Sequence, residues 1–282
     1  MKVTSDSLAQ VRAVVRNALN EDIGDGDVTT QCVVPSTASL NGQFMAKEAG
    51  VVAGLEVVRL AFSLVDERAQ LDPYVADGGQ VEVGQVIAGV SGPGQALLTG
   101  ERVALNFLQR MSGIATLTHR FVEAVRGNAA IILDTRKTAP GLRLLDKWAV
   151  RLGGGQNHRF GLHDMVLIKD NHIAAAGSIS EAVARVRAKD KPGRPIEVEV
   201  KTLAELQQAL ALEVDRIMLD NMSLAEMREA VRLASSRVPL EASGNVSLEN
   251  VAAIAATGVD YISVGMLTHS VHALDISLDL GA

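Results

Sequence analysis

Apolar residues recur along this chain in two textures, and the change falls near residue 127. Before it, residues 7–20 (SLAQVRAVVRNALN) set Leu8, Val11, Val14, Val15, Ala18 and Leu19 at helical spacing. Residues 38–47 (ASLNGQFMAK) alternate as a strand, and GLEVVRLAFSLV reads as a helix through Leu55, Val58, Leu60, Ala61, Phe62 and Val65. The stretch VADGGQVEVGQVIAGVSGPG has the alternation and glycines of a twisted hairpin. From Thr99 to Gly127 the pattern predicts two helices broken near Ser112-Gly113.

After residue 127, short apolar runs alternate with helical segments. The strand candidates are residues 130–134, 165–169, 196–200, 216–220, 239–243 and 261–265, and each stops at polar or glycine residues. The stops are Asp134-Thr135-Arg136-Lys137, Lys169-Asp170, Glu199, Asp220, Ser243-Gly244 and Gly265. Ser178, Thr202 and Ser223 each precede a glutamate three residues on, the capping-box spacing of a helix start. Ser247 is a further cap, and Gly258 suits a left-handed helix end. Strand–helix units in series imply parallel strands with right-handed crossovers. Functional residues at every carboxyl end favour a β/α barrel over a doubly wound sheet. The first strand also lacks the Gly-rich dinucleotide fingerprint. A full barrel needs ~250 residues. Only about 150 follow residue 127, so a reduced barrel of six or seven strands is expected.

Composition narrows the function classes. Apolar residues make up 48% and aromatics 3%, so the core is built of Ala, Val, Leu and Ile. The single cysteine, Cys32, excludes an internal disulfide and fits a reducing compartment. The opening MKVTSDSLAQ has no apolar h-region and no run approaches a membrane span, so a cytoplasmic location without membrane association is expected. A net charge of -6 argues against nucleic acid. Residues 134–173 run against that balance, with Arg136, Lys137, Arg143, Lys147, Arg151, Arg159 and Lys169, and with His158, His163 and His172. Cations gathered in an otherwise acidic chain point to a multiply charged anion.

On the barrel reading, the loops after the last two strands, SGNV (243–246) and VGMLTHS (264–270), are the expected phosphate site. Glu199 and Asp220 end the preceding strands, suited to a metal, ribose hydroxyls or developing positive charge. Arg102 lies on a polar helix face, where a surface role is the simpler reading. Asp22, Asp25 and Asp27 alternate like calcium ligands but lack the closing glutamate, and a solvated loop fits them better. Lys169 at a strand end also admits a Schiff-base aldolase.

The motifs TRKTAPGLR, GGGQNHRFGLHDMVLIKDNHI, EVEV, IMLDN, EASGNV and ISVGMLTHSVHALDISLDL resemble the quinolinate phosphoribosyltransferases (decarboxylating). The likeness takes in ALNEDIGDGDVTT and GERVALNFLQRMSGIAT, so it covers nearly the whole chain, with Ala139 where a threonine is common. The resemblance implies an α/β fold with an N-terminal α/β sandwich over 1–112, joined by 272–282, and a barrel over 113–271. It implies quinolinate and phosphoribosyl pyrophosphate as substrates, Mg2+ bound mainly through the pyrophosphate, and a homodimer with Arg102 donated across the interface. By the same likeness Thr135, Arg136, Lys137, His158 and Arg159 hold the pyridine dicarboxylate. Lys169 faces the pyrophosphate or a carboxylate, and Glu199 and Asp220 face the ribose and its metal, with no side chain assigned as a direct metal ligand. Ser243, Gly244, Asn245, Val264, Gly265 and Met266 cradle the 5-phosphate, with His269 nearby. The catalytic set is Lys137, Lys169, Glu199 and Asp220. A related protein associated with molybdate transport is the remaining alternative.

Overall fold

A computed structural model describes residues 5–281 of the chain. In chain order it begins α1 (Ser5–Ile23), α2 (Val28–Val33), β1 (Ser39–Ala46), β2 (Gly50–Val51), α3 (Leu55–Val65), β3 (Gln70–Pro73), β4 (Gln80–Val81), β5 (Val86–Pro93) and α4 (Gly94–Ala124). It continues with β6 (Ile131–Leu133), α5 (Arg143–Leu152), β7 (Val166–Ile168), α6 (Asp170–Ala176), α7 (Ile179–Lys189), β8 (Ile196–Val200) and α8 (Leu203–Leu210). The last elements are β9 (Arg216–Asp220), α9 (Leu224–Ala234), β10 (Leu240–Ser243), α10 (Val251–Ala255), β11 (Tyr261–Ser263), α11 (Met266–His269) and β12 (Ile276–Gly281). The described residues form two compact units, one within 5–119, 138–154 and 267–281, the other from 120–137 and 155–266.

In the first unit an antiparallel sheet runs β12-β1-β5-β3. The carboxyl-terminal strand lies against β1, with Phe44 opposite Leu278 and Ala46 opposite Ile276. Phe44 and Phe62 are fully buried with ring centroids 6.3 Å apart, and Phe107 joins them in a core that is otherwise mostly aliphatic.

Three local expectations change here. The predicted hairpin does not close on itself. β4 pairs with β2, and β5 pairs with β1 and β3. Alternation reports that a strand is half-buried, not which strand it meets. The helix expected to break at Ser112-Gly113 is continuous across α4. Gly113 is there for close approach, since a Cβ would lie 2.0 Å from the His272 carbonyl oxygen. Ser112 is spent on the backbone, its hydroxyl accepting the Ala53 N–H at 2.9 Å. In the acidic link, Asp27 caps α2, taking the Thr30 amide at 2.9 Å and the Thr99 hydroxyl at 3.0 Å.

The second unit is a parallel sheet in the order β6-β11-β10-β9-β8-β7. Its first strand sits beside its last, as a barrel requires and a doubly wound sheet does not. Six strands are present among the described residues, so the reduced barrel holds. At the β6 edge facing away from β11, Gln156 bridges Leu133, with Gln156 N–H on Ile132 O at 2.9 Å and Asp134 N–H on Gln156 O at 3.1 Å. That bridge carries the segment holding His158 and Arg159 to the carboxyl end of β6. Reciprocal capping boxes start α8 (Thr202, Glu205) and α9 (Ser223, Glu226). At α7 the box is one-sided. Ser178 accepts the Glu181 amide, while the Glu181 side chain pairs with Arg185. The helix expected from Ser247 begins later, at Val251, behind a turn in which Ser247 N–H bonds Asn250 Oδ1 at 2.9 Å.

Candidate active site

The cation-rich segment does not act as one piece. Residues 138–154, with α5 and its Arg143, Lys147 and Arg151, belong to the first unit, while Arg136, Lys137, Arg159 and Lys169 belong to the second. Within the first unit, fully buried Asp146 takes both Nε and Nη2 of Arg110 at 2.9 Å and the Ala139 amide at 3.1 Å. This bidentate pair anchors the start of α5. Also in that unit, Arg102 is exposed on α4, and exposed His269 places Nδ1 2.6 Å from Ser270 Oγ.

The second unit supplies the remaining expected residues, each at or just past the carboxyl end of a barrel strand or on the 155–165 segment. Asp134, fully buried at the end of β6, accepts the His158 backbone N–H at 2.9 Å and the Asn157 side-chain amide. Thr135, Arg136 and Lys137 follow, with the Lys137 amide on Thr135 Oγ1 at 3.1 Å. Arg159 is half-buried and its Nη1 reaches Met165 O at 3.3 Å. Burial, and then the positive field of Arg136, lower its pKa from the ordinary arginine value. Two guanidinium groups that repel one another at the mouth of a barrel make a site that an anion relieves.

At the next strand ends, Lys169 Nζ donates to Glu199 Oε2 at 2.9 Å. The lysine side chain is 45% exposed, so it lacks the desolvation that a Schiff-base lysine requires. Lys201 pairs instead with Asp170 at 2.7 Å. Asp220 ends β9 beside Asn221, whose side-chain amide donates to Asp220 Oδ1 at 2.9 Å. Gly244 and Asn245 both have positive φ, +99° and +50°. A Cβ on Gly244 would stand 2.2 Å from Asn221 Oδ1, so only glycine fits that turn. Asn245 Nδ2 reaches the same Asn221 oxygen at 3.1 Å. After β11, Val264 N–H bonds Leu133 O at 2.9 Å, tying the Val264–Met266 turn to the end of β6.

Beneath these strand ends lies a charged cluster that pattern reading passed over. Glu197 and Glu241, both 0% exposed, face His158 Nε2 at 2.9 and 3.4 Å. Arg216 Nη1 meets Glu241 Oε2 at 2.9 Å, and its guanidinium lies 4.1 Å from the Tyr261 ring centroid. The missed signal was period two. Glu197 shares its β8 face with Glu199, and the strand register sets Glu197 opposite Arg216 and Glu241 opposite Tyr261. Burial lifts Glu197 above the usual carboxylate range. For His158, burial works to lower the pKa, but the hydrogen bonds with Glu197 and Glu241 outweigh it and raise the value to about 9. Against that second proton, the Arg159 amide points at Nδ1 from 2.7 Å and can only donate. Nδ1 must then be bare, because two N–H groups cannot share so short a contact. The amide contact therefore favours a ring with one proton, on Nε2, against the charged form that the carboxylates favour. A metal at His158, Glu197 and Glu241 would need Nε2 bare, whereas that nitrogen faces two carboxylates and Arg216 already pairs with Glu241.

Comparison with known proteins extends the geometry. Family profiles described as quinolinate phosphoribosyl transferase, N-terminal domain and C-terminal domain, match residues 27–112 and 114–279. A nicotinate-nucleotide pyrophosphorylase (carboxylating) of Mycobacterium leprae is 49% identical over 278 residues, 95% of this chain and 96% of that protein. Quinolinate phosphoribosyltransferase (decarboxylating) 1 of Nicotiana glauca is 47% identical over 289 residues, 96% of this chain and 82% of that protein. The crystal structure of NadC from Streptococcus pyogenes superposes with a TM-score of 0.94 at 42% identity, covering 97% of each chain.

Proposed function

This chain belongs to the quinolinate phosphoribosyl transferase family, and on that premise we propose that it makes nicotinate mononucleotide for NAD biosynthesis. Quinolinate attacks phosphoribosyl pyrophosphate through its ring nitrogen, pyrophosphate leaves, and the 2-carboxylate departs as carbon dioxide. What carries this reading is the coincidence of profiles over 27–112 and 114–279 with mutually repelling Arg136 and Arg159 and the strand-end carboxylates Glu199 and Asp220.

Arg136 and Arg159, with Thr135 and Lys137, offer bidentate forks to adjacent carboxylates. Glu199 and Asp220 oppose the positive charge that grows on ribose as the C1–oxygen bond breaks. Lys169 answers the charge of the leaving pyrophosphate. The oxygen donors of Glu199 and Asp220 suit a hard divalent cation, and Mg2+ carried in by the pyrophosphate would supply further neutralisation. After the ring nitrogen is alkylated, the electrons of the C2–carboxylate bond fall onto the pyridinium, and C2 takes a proton. Ser243–Asn245 and Val264–Met266 receive the 5-phosphate, and His269 is the remaining residue the family likeness assigns to it. Arg102 acts in a homodimer, each copy lending it to the other's site, and the single cysteine fits a cytoplasmic setting.

The test is nicotinate mononucleotide formation by the purified protein with Mg2+, phosphoribosyl pyrophosphate and quinolinate. Nicotinate in place of quinolinate should react poorly, because it lacks the 2-carboxylate that would accept the hydrogen bonds these cations offer. No product from quinolinate, or comparable use of nicotinate, would sink the reading. For the dimer, inactive Arg102→Ala and Lys137→Ala subunits should regain activity on exchange. One of the two sites in each mixed dimer is then wholly wild-type. No recovery after confirmed exchange returns Arg102 to its own chain.

A further inference from the structure

We propose that Glu197 and Glu241 are positioning residues that hold the His158 ring by its Nε2 proton, so that Nδ1 fixes the Arg159 backbone and aims its guanidinium at the anion. The proposal rests on Arg159 serving the dicarboxylate, as in the reading above. It gives His158 a different task from the one the resemblance implies. The ring works through Arg159 rather than on the substrate.

Both ring nitrogens are committed inside the protein. Nε2 has Glu197 Oε2 at 2.9 Å and Glu241 Oε2 at 3.4 Å, and Nδ1 has the Arg159 amide at 2.7 Å. The side chain is 6% exposed, which leaves little surface with which to meet a ligand. The ring is a link in a chain running from the barrel interior to the mouth. Arg216 fixes Glu241 at 2.9 Å, Glu241 and Glu197 fix Nε2–H, and Nδ1 fixes the amide of the residue that carries the guanidinium. Asp134 holds the same loop from the other side through the His158 backbone N–H at 2.9 Å. Loop side chains held at two backbone points lose little entropy on binding.

The charged groups around the ring come from every neighbouring element. Glu197 belongs to β8, Arg216 to β9, Glu241 to β10, Asp134 to the end of β6, and Arg159 follows in the chain. The two carboxylates favour an imidazolium and raise the ring's pKa to about 9 against burial, whereas the amide requires a bare Nδ1. These make opposite statements about one atom, and that atom can be read directly.

The first measurement is nitrogen-15 NMR of the full-length, ligand-free protein at neutral pH, with the His158 signals identified by their loss in His158→Asn. A protonated Nε2 and a bare Nδ1 are expected. A doubly protonated ring, or a proton on Nδ1 alone, overturns the proposal whether or not the protein makes nicotinate mononucleotide. The second measurement compares two variants in steady state. Glu197→Met removes the acceptor, letting Nε2–H swing toward Glu241, and should raise KM for quinolinate roughly tenfold, the loss of one good hydrogen bond. Its kcat and its KM for phosphoribosyl pyrophosphate should stay close to wild type. Glu197→Gln keeps an acceptor oxygen and should restore quinolinate KM to near the wild-type value. If Glu197→Gln is as impaired as Glu197→Met, charge rather than position is what Glu197 supplies, and the proposal falls. Equal loss toward both substrates, or none toward quinolinate, overturns it as well. Should Glu197→Met fail to fold, Glu197→Gln is read by nitrogen-15 NMR as well, where a proton kept on Nε2 with a bare Nδ1 upholds the proposal and any other state overturns it.

Discussion

Strand β8 carries two glutamates two residues apart on one face, and they stand in opposite circumstances. Glu197 is 0% exposed and shares its surroundings with His158, Glu241 and Arg216. Glu199, one pleat nearer the barrel mouth, is 8% exposed and meets one lysine whose own side chain is 45% in solvent. The residue type and the strand are the same, and depth along the barrel axis separates them. In the interior a carboxylate is locked by partners that have no freedom to leave, so it can position other groups. At the rim its partner can swing away, so it can meet a substrate. A barrel therefore grades from scaffold to chemistry along each strand, over about 7 Å for two residues.

The comparison breaks first at its buried end. Arg216→Met keeps an apolar stem over Tyr261 but removes the cation bonded to Glu241. Losing one partner of a buried pair costs about 3–5 kcal/mol, so the unfolding midpoint in urea should fall sharply. A midpoint close to wild type would show the buried cluster to be as loosely coupled as the rim. At the rim the ordering of effects should reverse. Glu199→Gln keeps the shape and deletes the charge, and kcat should fall about a hundredfold, near 2.7 kcal/mol, with stability little changed. Near-normal turnover would reduce Glu199 to a structural partner of Lys169.

This grading explains which parts of the molecule were legible beforehand. The six barrel strands and their polar carboxyl ends follow from short apolar runs with stops, and each run lies on an observed strand. The rim residues were found because a stop in an apolar run is visible. Glu197 and Glu241 were not, because each sits inside its run rather than at the stop, and a charge there reads as noise until strand register aligns it with Arg216 and His158. Gly113 was legible as a glycine but not for its reason. A helix break and a close helix contact leave the same residue, and only the His272 carbonyl decides between them. Likewise the cations of 134–173 read as one group, although α5 takes three of them into the other unit.

A smaller effect is expected at the turn after β10, where backbone shape rather than charge is at issue. Gly244 combines φ of +99° with an Asn221 oxygen 2.2 Å from any Cβ. Gly244→Ala must strain the backbone by about 1–2 kcal/mol and displace Asn221, which also holds Asn245. KM for phosphoribosyl pyrophosphate should rise by roughly tenfold, equivalent to about 1.4 kcal/mol, while quinolinate binding measured by calorimetry stays near wild type. Equal loss of both ligands would remove this turn from the phosphate site.

The smallest stability effect should come from the other half of the rim pair. Lys169→Gln removes an ammonium 2.9 Å from Glu199 Oε2, but that ammonium rides on a side chain 45% exposed. Water screens such a pair and takes over the released groups, and holding a long lysine in place has its own entropic cost. The change in unfolding free energy should be within about 1 kcal/mol. Glu199, 8% exposed, keeps a path to water that Glu197 lacks, which limits the cost of leaving its charge without the lysine. Set beside Arg216→Met, this variant measures the grading from the barrel interior to its mouth, since each removes one cation from one glutamate. If Lys169→Gln destabilised the fold as much as Arg216→Met, the rim pair would be scaffold too, and Lys169 could not be free to turn toward a leaving pyrophosphate.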